Sequence, residues 1–243
     1  MADPAEWPID ANAKFFHYCD NETIQGFELG DHFPFDRVPE GQHLVCDMSS
    51  NFLTKPIDWS KFGMVYAGAQ KNVGPAGAVI CIIRNDLIAG HRSDTPMMCD
   101  WELFSKAPNT FQNTPPCWPI YVCGLNLSYM IEQGGIPVLQ ERAVQRSSTL
   151  YNHIDGSDGY YVNNVEIKYR SRVNIPFRVC KNEALEAKFL AEATAANLID
   201  LKGHRSVGGI RASLYNAMSM EGVQALCDFM TEFKANNPAP AVE

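Results

Sequence analysis

The sequence predicts an α/β protein, in which a sheet with helices over residues 1–140 is followed by a small α+β domain over residues 141–243. Short apolar runs fill the first third of the chain, helical spacing begins after Pro116, and the C-terminal part alternates strand-like and helix-like segments. With 243 residues, of which 46% are hydrophobic and 20% are charged, the chain has enough apolar surface for a real core.

Four apolar runs, rich in Val, Ile, Phe or Tyr, carry the strand predictions for the first domain. Because these runs are continuous rather than alternating, we expect a sheet that is covered on both faces, as in α/β folds. The connections between them carry Gly, Pro and Asp, which is typical of irregular loops. The four runs are Lys14–Cys19, His43–Asp47, Gly63–Ala67 and Ala78–Arg84.

Two helices are predicted in the middle of the chain. The first follows Pro116 and ends at Gly134-Gly135. The second runs from Pro137, in its first turn, to about His153. The predicted domain boundary near residue 140 lies inside or just after this second helix.

The C-terminal segments alternate in the order strand, strand, helix, strand, helix, which predicts a small α+β domain. The last helix opens with Ser219-x-Glu221, a pattern that favours a helix start. The five segments are Tyr160–Val162, Val173–Val179, Glu183–Asn197, Gly208–Leu214 and Ser219–Lys234.

Composition excludes several functional classes. A net charge of −8 argues against general nucleic-acid binding, which needs basic surface. The longest aliphatic run, Val79–Ile83, is too short to span a membrane, and the acidic start Met1–Glu6 is unlike a secretory signal. The eight cysteines form no C-x-x-C pair and no zinc-like cluster with histidine, so we expect no metal site and a reduced, cytoplasmic location.

The first candidate functional residue is Lys71, within the segment Tyr66–Gly77 that follows an apolar strand. Small residues surround Lys71 and would let a bulky ligand approach the backbone. A partly desolvated lysine has a lowered pKa and can attack a carbonyl carbon as a nucleophile. A solvated loop lysine is the alternative that the sequence leaves open.

Asp47 closes an apolar strand at the end where open α/β sheets bind ligands. A buried aspartate needs a cationic partner or several donors, and a protonated pyridine nitrogen is one such partner. A turn or helix-capping role is the alternative.

Two further segments carry anion-binding side chains. Four basic-type side chains lie in Lys202–Ser213 without an acid, and arginine binds carboxylates or phosphates with two hydrogen bonds. Asn113-Thr114-Pro115-Pro116 precedes a helix and is suited to hold a phosphate. A basic surface loop and a plain capping turn, respectively, are the alternatives.

Together these stretches resemble the phosphoserine aminotransferases, class-V aminotransferases of fold type I that depend on pyridoxal phosphate (PLP). The resemblance implies a mostly parallel sheet with helices and a small C-terminal α+β domain. It does not include the amino-terminal part of the family's large domain, for which this chain has no counterpart. The matching stretches are Tyr18–Thr23, Val45–Phe52, Tyr66–Gly74, Asn113–Pro116 and Leu201–Tyr215.

The resemblance implies four cofactor contacts within one chain. Lys71 would bind PLP covalently and later carry the proton between the substrate and the cofactor. Asp47 would pair with the pyridinium nitrogen. Thr23 would bind the phenolic oxygen of the cofactor, and Gln70 would bind its phosphate.

The remaining implied roles concern the substrate and a second subunit. Asn113 and Thr114 would reach the PLP phosphate of the neighbouring subunit in a homodimer with shared active sites. His204 and Arg205 would bind the phosphate of the substrate, and Arg211 its α-carboxylate. The implied reaction exchanges glutamate and 3-phosphohydroxypyruvate for 2-oxoglutarate and O-phosphoserine, in serine biosynthesis.

Family members are longer at the amino end than this chain. We therefore expect Lys14–Cys19 to be an unpaired sheet edge, and we expect weak PLP binding and little transamination by this polypeptide alone. The alternative hypothesis is a catalytically impaired short form, or fragment, that acts only as the dimerisation partner of a complete subunit. A different PLP enzyme, such as a lyase, is disfavoured by the second cationic cluster. The location predicted is cytoplasmic, and an organellar one stays open.

Overall fold

The computed structural model describes residues 3–108 and 111–240. Its strands are β1 (Phe15–Cys19), β2 (Asn21–Glu22), β3 (Phe27–Glu28), β4 (His43–Asp47), β5 (Met64–Gly68), β6 (Val79–Ile83), β7 (Tyr161–Val162), β8 (Asn174–Val179) and β9 (Ile210–Ser213). Its α-helices are α1 (Trp101–Lys106), α2 (Cys117–Glu132), α3 (Gly135–Asp155), α4 (Glu183–Ala195) and α5 (Met220–Asn236).

The first domain is built on a four-stranded sheet in the order β1-β4-β5-β6. β1 pairs with β4 and β4 with β5 in parallel, while β6 runs antiparallel to β5. The four strands predicted from the apolar runs are confirmed to within about one residue at each end. This sheet places the carboxyl ends of β1, β4 and β5 at one edge.

Only one face of this sheet is fully covered within the described residues, so the prediction of two covered faces is wrong there. Leu44, Cys46, Val65 and Ala67 are at most 3% exposed and lie in a core built largely from loop residues. The opposite face, which we call the open face, carries half-buried or exposed side chains, and Val79 on β6 is 64% exposed. A continuous apolar run predicts that both faces of the strand are buried, but it does not identify the part of the protein, or the partner, that covers each face.

The β1 edge is open. Within the described ranges β1 pairs only with β4, and Phe15 is 57% exposed. The expectation of an unpaired edge at Lys14–Cys19 is therefore confirmed, and its free backbone groups are able to pair with another strand.

The C-terminal part forms a three-stranded antiparallel sheet in the order β7-β8-β9, packed against α3, α4 and α5. Its core contains fully buried aromatic residues such as Phe177, Phe189 and Phe233. Asn182 accepts a hydrogen bond from Leu185 N at the start of α4, and Ser219 accepts one from Gly222 N at the start of α5. All five predicted C-terminal segments are confirmed, with ends shifted by up to two residues.

α3 connects the two parts without a break. α2 ends at Glu132, and Gly134 adopts a left-handed φ of 108° that turns the chain into α3. Leu150 and Ile154 of α3 belong to the C-terminal core. The domain division at residue 140 thus lies inside α3, and we keep it as a proposal. No helix in the described ranges has the length and apolar character needed to cross a membrane.

Candidate active site

Three side chains from neighbouring strands form a row at the carboxyl ends of the sheet. Cys19 of β1 lies beside Asp47 of β4, and Asp47 lies beside Tyr66 of β5. Residues paired in register point to the same side of a sheet, which here is the open face. Asp47 Oδ1 also accepts a hydrogen bond of 2.8 Å from Ser49 N. The strand topology thus presents a half-buried carboxylate on an accessible surface.

Lys71 lies in the turn that follows β5. Val73 N and Gly74 N both donate to the Ala69 carbonyl, at 3.0 and 2.8 Å, and these bonds close the turn. The buried Asn72 side chain donates to Ser50 O at 3.0 Å and ties the turn to the segment after β4. Lys71 is half-buried and makes no ion pair with any residue of the described ranges. Its amine is therefore available to a ligand.

The Cys19 thiol lies near both Asp47 and Lys71. Desolvation and the charge of Asp47 raise the pKa of this thiol to about 11, and the charge of Lys71 opposes the rise. The structure thus brings the predicted pair of Asp47 and Lys71 into one cluster. An amine in this place can attack a carbonyl carbon, and the carboxylate can pair with a cationic ring nitrogen.

Thr23 and Arg211 are also brought together. Thr23 lies in the turn between β2 and β3, and the Arg211 guanidinium on β9 donates to the Thr23 carbonyl at 3.0 Å. The two residues are 188 positions apart in the sequence. A residue predicted to bind the cofactor is thus in contact with one predicted to bind a carboxylate.

A buried amide anchors the turn that carries Thr23. Asn21 is 1% exposed, and its Nδ2 donates to Ser50 Oγ at 2.8 Å and to Asn174 Oδ1 at 2.9 Å. Asn174 belongs to β8 and is fully buried. The bonds of Asn21 therefore connect the carboxyl edge of the first sheet to the C-terminal sheet.

A buried ionic cluster lies on the other side of the same hairpin. Glu28 is 5% exposed and receives hydrogen bonds of 3.0 and 2.8 Å from the Arg172 guanidinium. Asn51 Nδ2 also donates to Glu28, and Lys55 Nζ lies 3.8 Å from its carboxylate. Burial alone would raise the pKa of Glu28, but the hydrogen bonds and charge of Arg172, with help from Lys55 and Asn51, hold it below its usual value.

The remaining predicted anion-binding residues lie on loops. Gln70 is exposed and folds back over Gly68, where a Cβ on the glycine would lie 2.6 Å from Gln70 Oε1. His204 Nδ1 pairs with Ser206 Oγ at 2.7 Å, so its ring is fixed within its own loop. Arg205 is exposed and makes no ion pair within the described ranges.

Asn113 and Thr114 are exposed residues on the segment before α2. Asn113 Nδ2 donates to Thr114 O at 3.4 Å, and in the described part of the chain no hydrogen bond joins either side chain to Asp47 or Lys71. The structure of this single chain does not bring them into the strand-end cluster.

A cavity of about 660 Å³ lies beside Lys71, between α2, α3 and the segment that precedes α5. Arg142 and Arg146 of α3 contribute to its wall, whereas Asp47 and Thr23 do not. Lys71 therefore lines this cavity, whereas Asp47 lies on the open face outside it. In the described ranges, no group of three or more His, Cys, Asp or Glu side chains could hold a metal ion.

Sequence reasoning missed two polar residues of the open face. Tyr66 OH lies 3.0 Å from His17 Nε2, and the two rings stack with centroids 6.0 Å apart. Both residues occur inside predicted strands, and neither was among the predicted functional residues. Strand alternation could have found them, because His17 precedes Cys19 by two residues and Tyr66 lies beside Asp47.

Comparison with known proteins shows which protein family the chain resembles. Residues 1–226 match the family model described as "Aminotransferase class-V". Phosphoserine aminotransferase of Laribacter hongkongensis is 48% identical over 94% of this chain and 62% of its own length. The enzyme of the same name from Drosophila melanogaster is 47% identical, over 95% of this chain and 63% of its own length.

Solved structures give the same result. Phosphoserine aminotransferase from Bacillus circulans subsp. alkalophilus superposes with a TM-score of 0.90 at 39% identity, covering 96% of this chain and 63% of that one. The PLP-bound enzyme of this name from Trichomonas vaginalis gives a TM-score of 0.85 at 40% identity, covering 93% and 62%. The chain spans about 62% of the length of the curated relatives named here.

Proposed function

The chain belongs to the class-V aminotransferase family, and from that premise we propose that it carries the PLP site and substrate loops of a phosphoserine aminotransferase. The proposed reaction exchanges an amino group between glutamate and 3-phosphohydroxypyruvate, and gives 2-oxoglutarate and O-phosphoserine. The observation that carries the proposal is the convergence of Asp47 and Lys71 at the carboxyl edge of the sheet. The proposed reaction is taken from the two relatives named phosphoserine aminotransferase, which are 47–48% identical to this chain.

The residues of the open face fit PLP. The ring needs an anionic partner at its nitrogen and its aldehyde needs an amine, and Asp47 and Lys71 supply these two groups in one cluster. The two small residues that precede Gln70 and Lys71, Gly68 and Ala69, place no side chain larger than a methyl group at the end of β5. When bound, PLP supplies an electron-withdrawing ring that accepts the electron pair left on the substrate Cα.

The chain's own groups then hold and move protons. Asp47 keeps the proton on the ring nitrogen, because a carboxylate beside a pyridinium stabilises the charged form. Lys71 Nζ would hold the cofactor through its aldehyde carbon, and with substrate bound it would carry the proton between the substrate Cα and the cofactor carbon C4′. The Thr23 hydroxyl orients the ring through its phenolic oxygen, and Gln70 binds the cofactor phosphate.

Two cationic sites suit a substrate with two anionic groups. Arg211 would bind the α-carboxylate, and its present bond to the Thr23 carbonyl holds it beside the proposed cofactor contact. His204 and Arg205 would bind the substrate phosphate from their exposed loop. Asn113 and Thr114, exposed in this chain, would reach the cofactor phosphate of a second subunit in a homodimer.

PLP titration tests the cofactor site. The visible absorbance of PLP bound to an amine should develop on mixing with the chain and be absent in Lys71→Ala, since no other amine would lie beside Asp47. Borohydride reduction followed by peptide mass spectrometry should label Lys71. Labelling of a different lysine, with unchanged absorbance in Lys71→Ala, would contradict the proposal. Lys61, an exposed lysine that precedes β5, serves as the control position when changed to Ala.

A second experiment tests the phosphate assignment. Arg205→Ala should lose affinity for O-phosphoserine and keep its affinity for glutamate, because only the former carries a phosphate. Lys202→Ala, an exposed basic residue three positions before Arg205, is the matched control. Equal losses of affinity for both substrates in Arg205→Ala would show that Arg205 does not bind the phosphate.

Exposed apolar residues favour a second candidate function, association with a complete subunit. On α2, Trp118 is 70% exposed and Tyr121, Leu125 and Tyr129 are 53–59% exposed, at helical spacing on one stripe. Mixing with a complete phosphoserine aminotransferase subunit should yield a mixed dimer by size-exclusion chromatography. Trp118→Glu should abolish it, and mixed dimers that form equally with this variant would contradict the idea.

We also propose a cytoplasmic location. The alternative is an organellar location, because the curated relatives include chloroplastic proteins.

A further inference from the structure

The roles proposed above leave two polar residues of the open face unused. His17 on β1 and Tyr66 on β5 are separated by the whole width of β4, about 10 Å for two strand spacings. Their rings nevertheless stack at 6.0 Å and their polar atoms meet at 3.0 Å. The two side chains must therefore lean towards each other above β4, on the face that carries Asp47.

Asp47 lies beside this bridge. Tyr66 is its in-register neighbour on β5, and Val45, two residues before Asp47, is the neighbour of His17. Burial raises the pKa of Tyr66, and the neighbouring Asp47 carboxylate raises it further. The in-register pairing thus places the phenol next to the carboxylate on the same face of the sheet.

We propose that His17 is a positioning residue that acts through Tyr66 on Asp47. His17 Nε2–H donates to the Tyr66 oxygen, and the Tyr66 O–H donates to the Asp47 carboxylate. Each bond in such a chain polarises the next, so the chain fixes the direction of the Asp47 carboxylate towards the cofactor nitrogen. The inference deepens the proposed function and rests on it.

The direction of the bonds matters, because a phenol has only one proton. If Tyr66 donated to His17, it could not donate to Asp47, and the pair would be a stacking contact without influence on the carboxylate. Other groups that face Tyr66 are the Cys19 thiol, in the same row across the sheet, and the Cys81 thiol, its partner on β6. Lys71 completes the surroundings through its proximity to Cys19.

The first test follows the Tyr66 phenol in the chain without cofactor. Tyrosine labelled with ¹³C at Cζ gives a signal for Tyr66, assigned by its loss in Tyr66→Phe, that reports the pKa by NMR. A donor to the phenol oxygen favours the phenolate, so His17→Leu should raise the pKa of Tyr66. Asp47→Asn should lower it, since the carboxylate opposes the phenolate.

A fall in the Tyr66 pKa in His17→Leu would overturn the proposal, because it would mean that Tyr66 is the donor. No change would overturn it as well, since the contact would then be absent. Circular dichroism across the same pH range confirms that each variant stays folded during the titration. His43→Leu is the control, as His43 lies on the same face of β4 but four residues before Asp47.

The second test measures PLP affinity by absorbance titration. Loss of one bond in the chain should weaken PLP binding about 3- to 10-fold in Tyr66→Phe and in His17→Leu. His17→Gln keeps an N–H donor and should restore most of the affinity. In the Tyr66→Phe background, His17→Leu should have no further effect, because the path to Asp47 is already cut. Additive losses, or an equal loss in His43→Leu, would overturn the proposal.

The two tests separate failure of the inference from failure of the proposed function. If the unmodified chain binds no PLP, the proposed function fails, and the Tyr66 titration still decides the direction of the hydrogen bonds. If PLP binds at Lys71 and the variants show additive losses, the function stands and the positioning role of His17 does not.

Discussion

Replacing Arg172 by Met should destabilise the protein more than any other single change at the junction of its two parts. The substitution removes two charge-assisted hydrogen bonds of 3.0 and 2.8 Å and leaves Glu28, which is 5% exposed, without its main counter-charge. Breaking a buried ion pair costs about 3–5 kcal/mol. The Arg172 side chain is 22% exposed and Lys55 remains 3.8 Å from the carboxylate, so we expect about 3 kcal/mol.

Urea unfolding followed by circular dichroism measures this loss. A double variant, Glu28→Gln with Arg172→Met, should recover at least half of it, because the buried charge is then removed. Arg92→Met is a matched control, since the Arg92–Asp94 pair is exposed and such pairs contribute about 0–1 kcal/mol. An Arg172→Met variant as stable as the parent chain, or a double variant less stable than Arg172→Met, would refute the reasoning.

Three further predictions follow from the same structure. The folded-state pKa of Glu28 is lowered from 4.5, so its contribution to stability is complete above pH 4.5 and is lost as pH falls through the lower value; acid unfolding should be shallower in Glu28→Gln. Arg146 is 3% exposed and its Nε and Nη2 have no hydrogen-bond partner in the described ranges, so Arg146→Met should raise the unfolding free energy by about 1 kcal/mol, and a loss in urea stability would contradict this. A Cβ on Gly203 would lie 2.0 Å from Gly208 O, so Gly203→Ala should displace the loop of His204 and abolish the O-phosphoserine binding that calorimetry measures. The control is Gly208→Ala, whose Cβ would meet no atom within 4 Å although the φ of Gly208 is 68°. It should lower the free energy of unfolding by only about 1 kcal/mol.

The sequence allowed the strand ends of the site to be predicted, and the physical reason is general. Asp47 closes an apolar run and Lys71 follows the next one, and the carboxyl ends of neighbouring parallel strands lie at one edge. A local pattern was therefore sufficient for that pair. The helices around Gly134 were predictable for a similar reason, since glycine readily adopts the left-handed conformation that commonly follows the end of a helix.

Contacts between distant segments were not predictable. The strands β2 and β3 have two residues each, and Asn21-Glu22 has a polar sequence that gives no strand signal. The bond from Arg211 to the Thr23 carbonyl and the pair of Arg172 with Glu28 each join segments more than 140 residues apart. A single sequence contains no information on such pairings, because many carboxylates and guanidinium groups could satisfy one another.

The uninterrupted course of α3 restricts how the two parts can move. Its 21 residues form a rod of about 31 Å. One end follows the glycine turn after α2, and the other end is embedded in the C-terminal core. A hinge at residue 140 would have to kink this helix at the expense of its hydrogen bonds, so any relative movement of the two parts must instead come from bending at the segments on either side of α3.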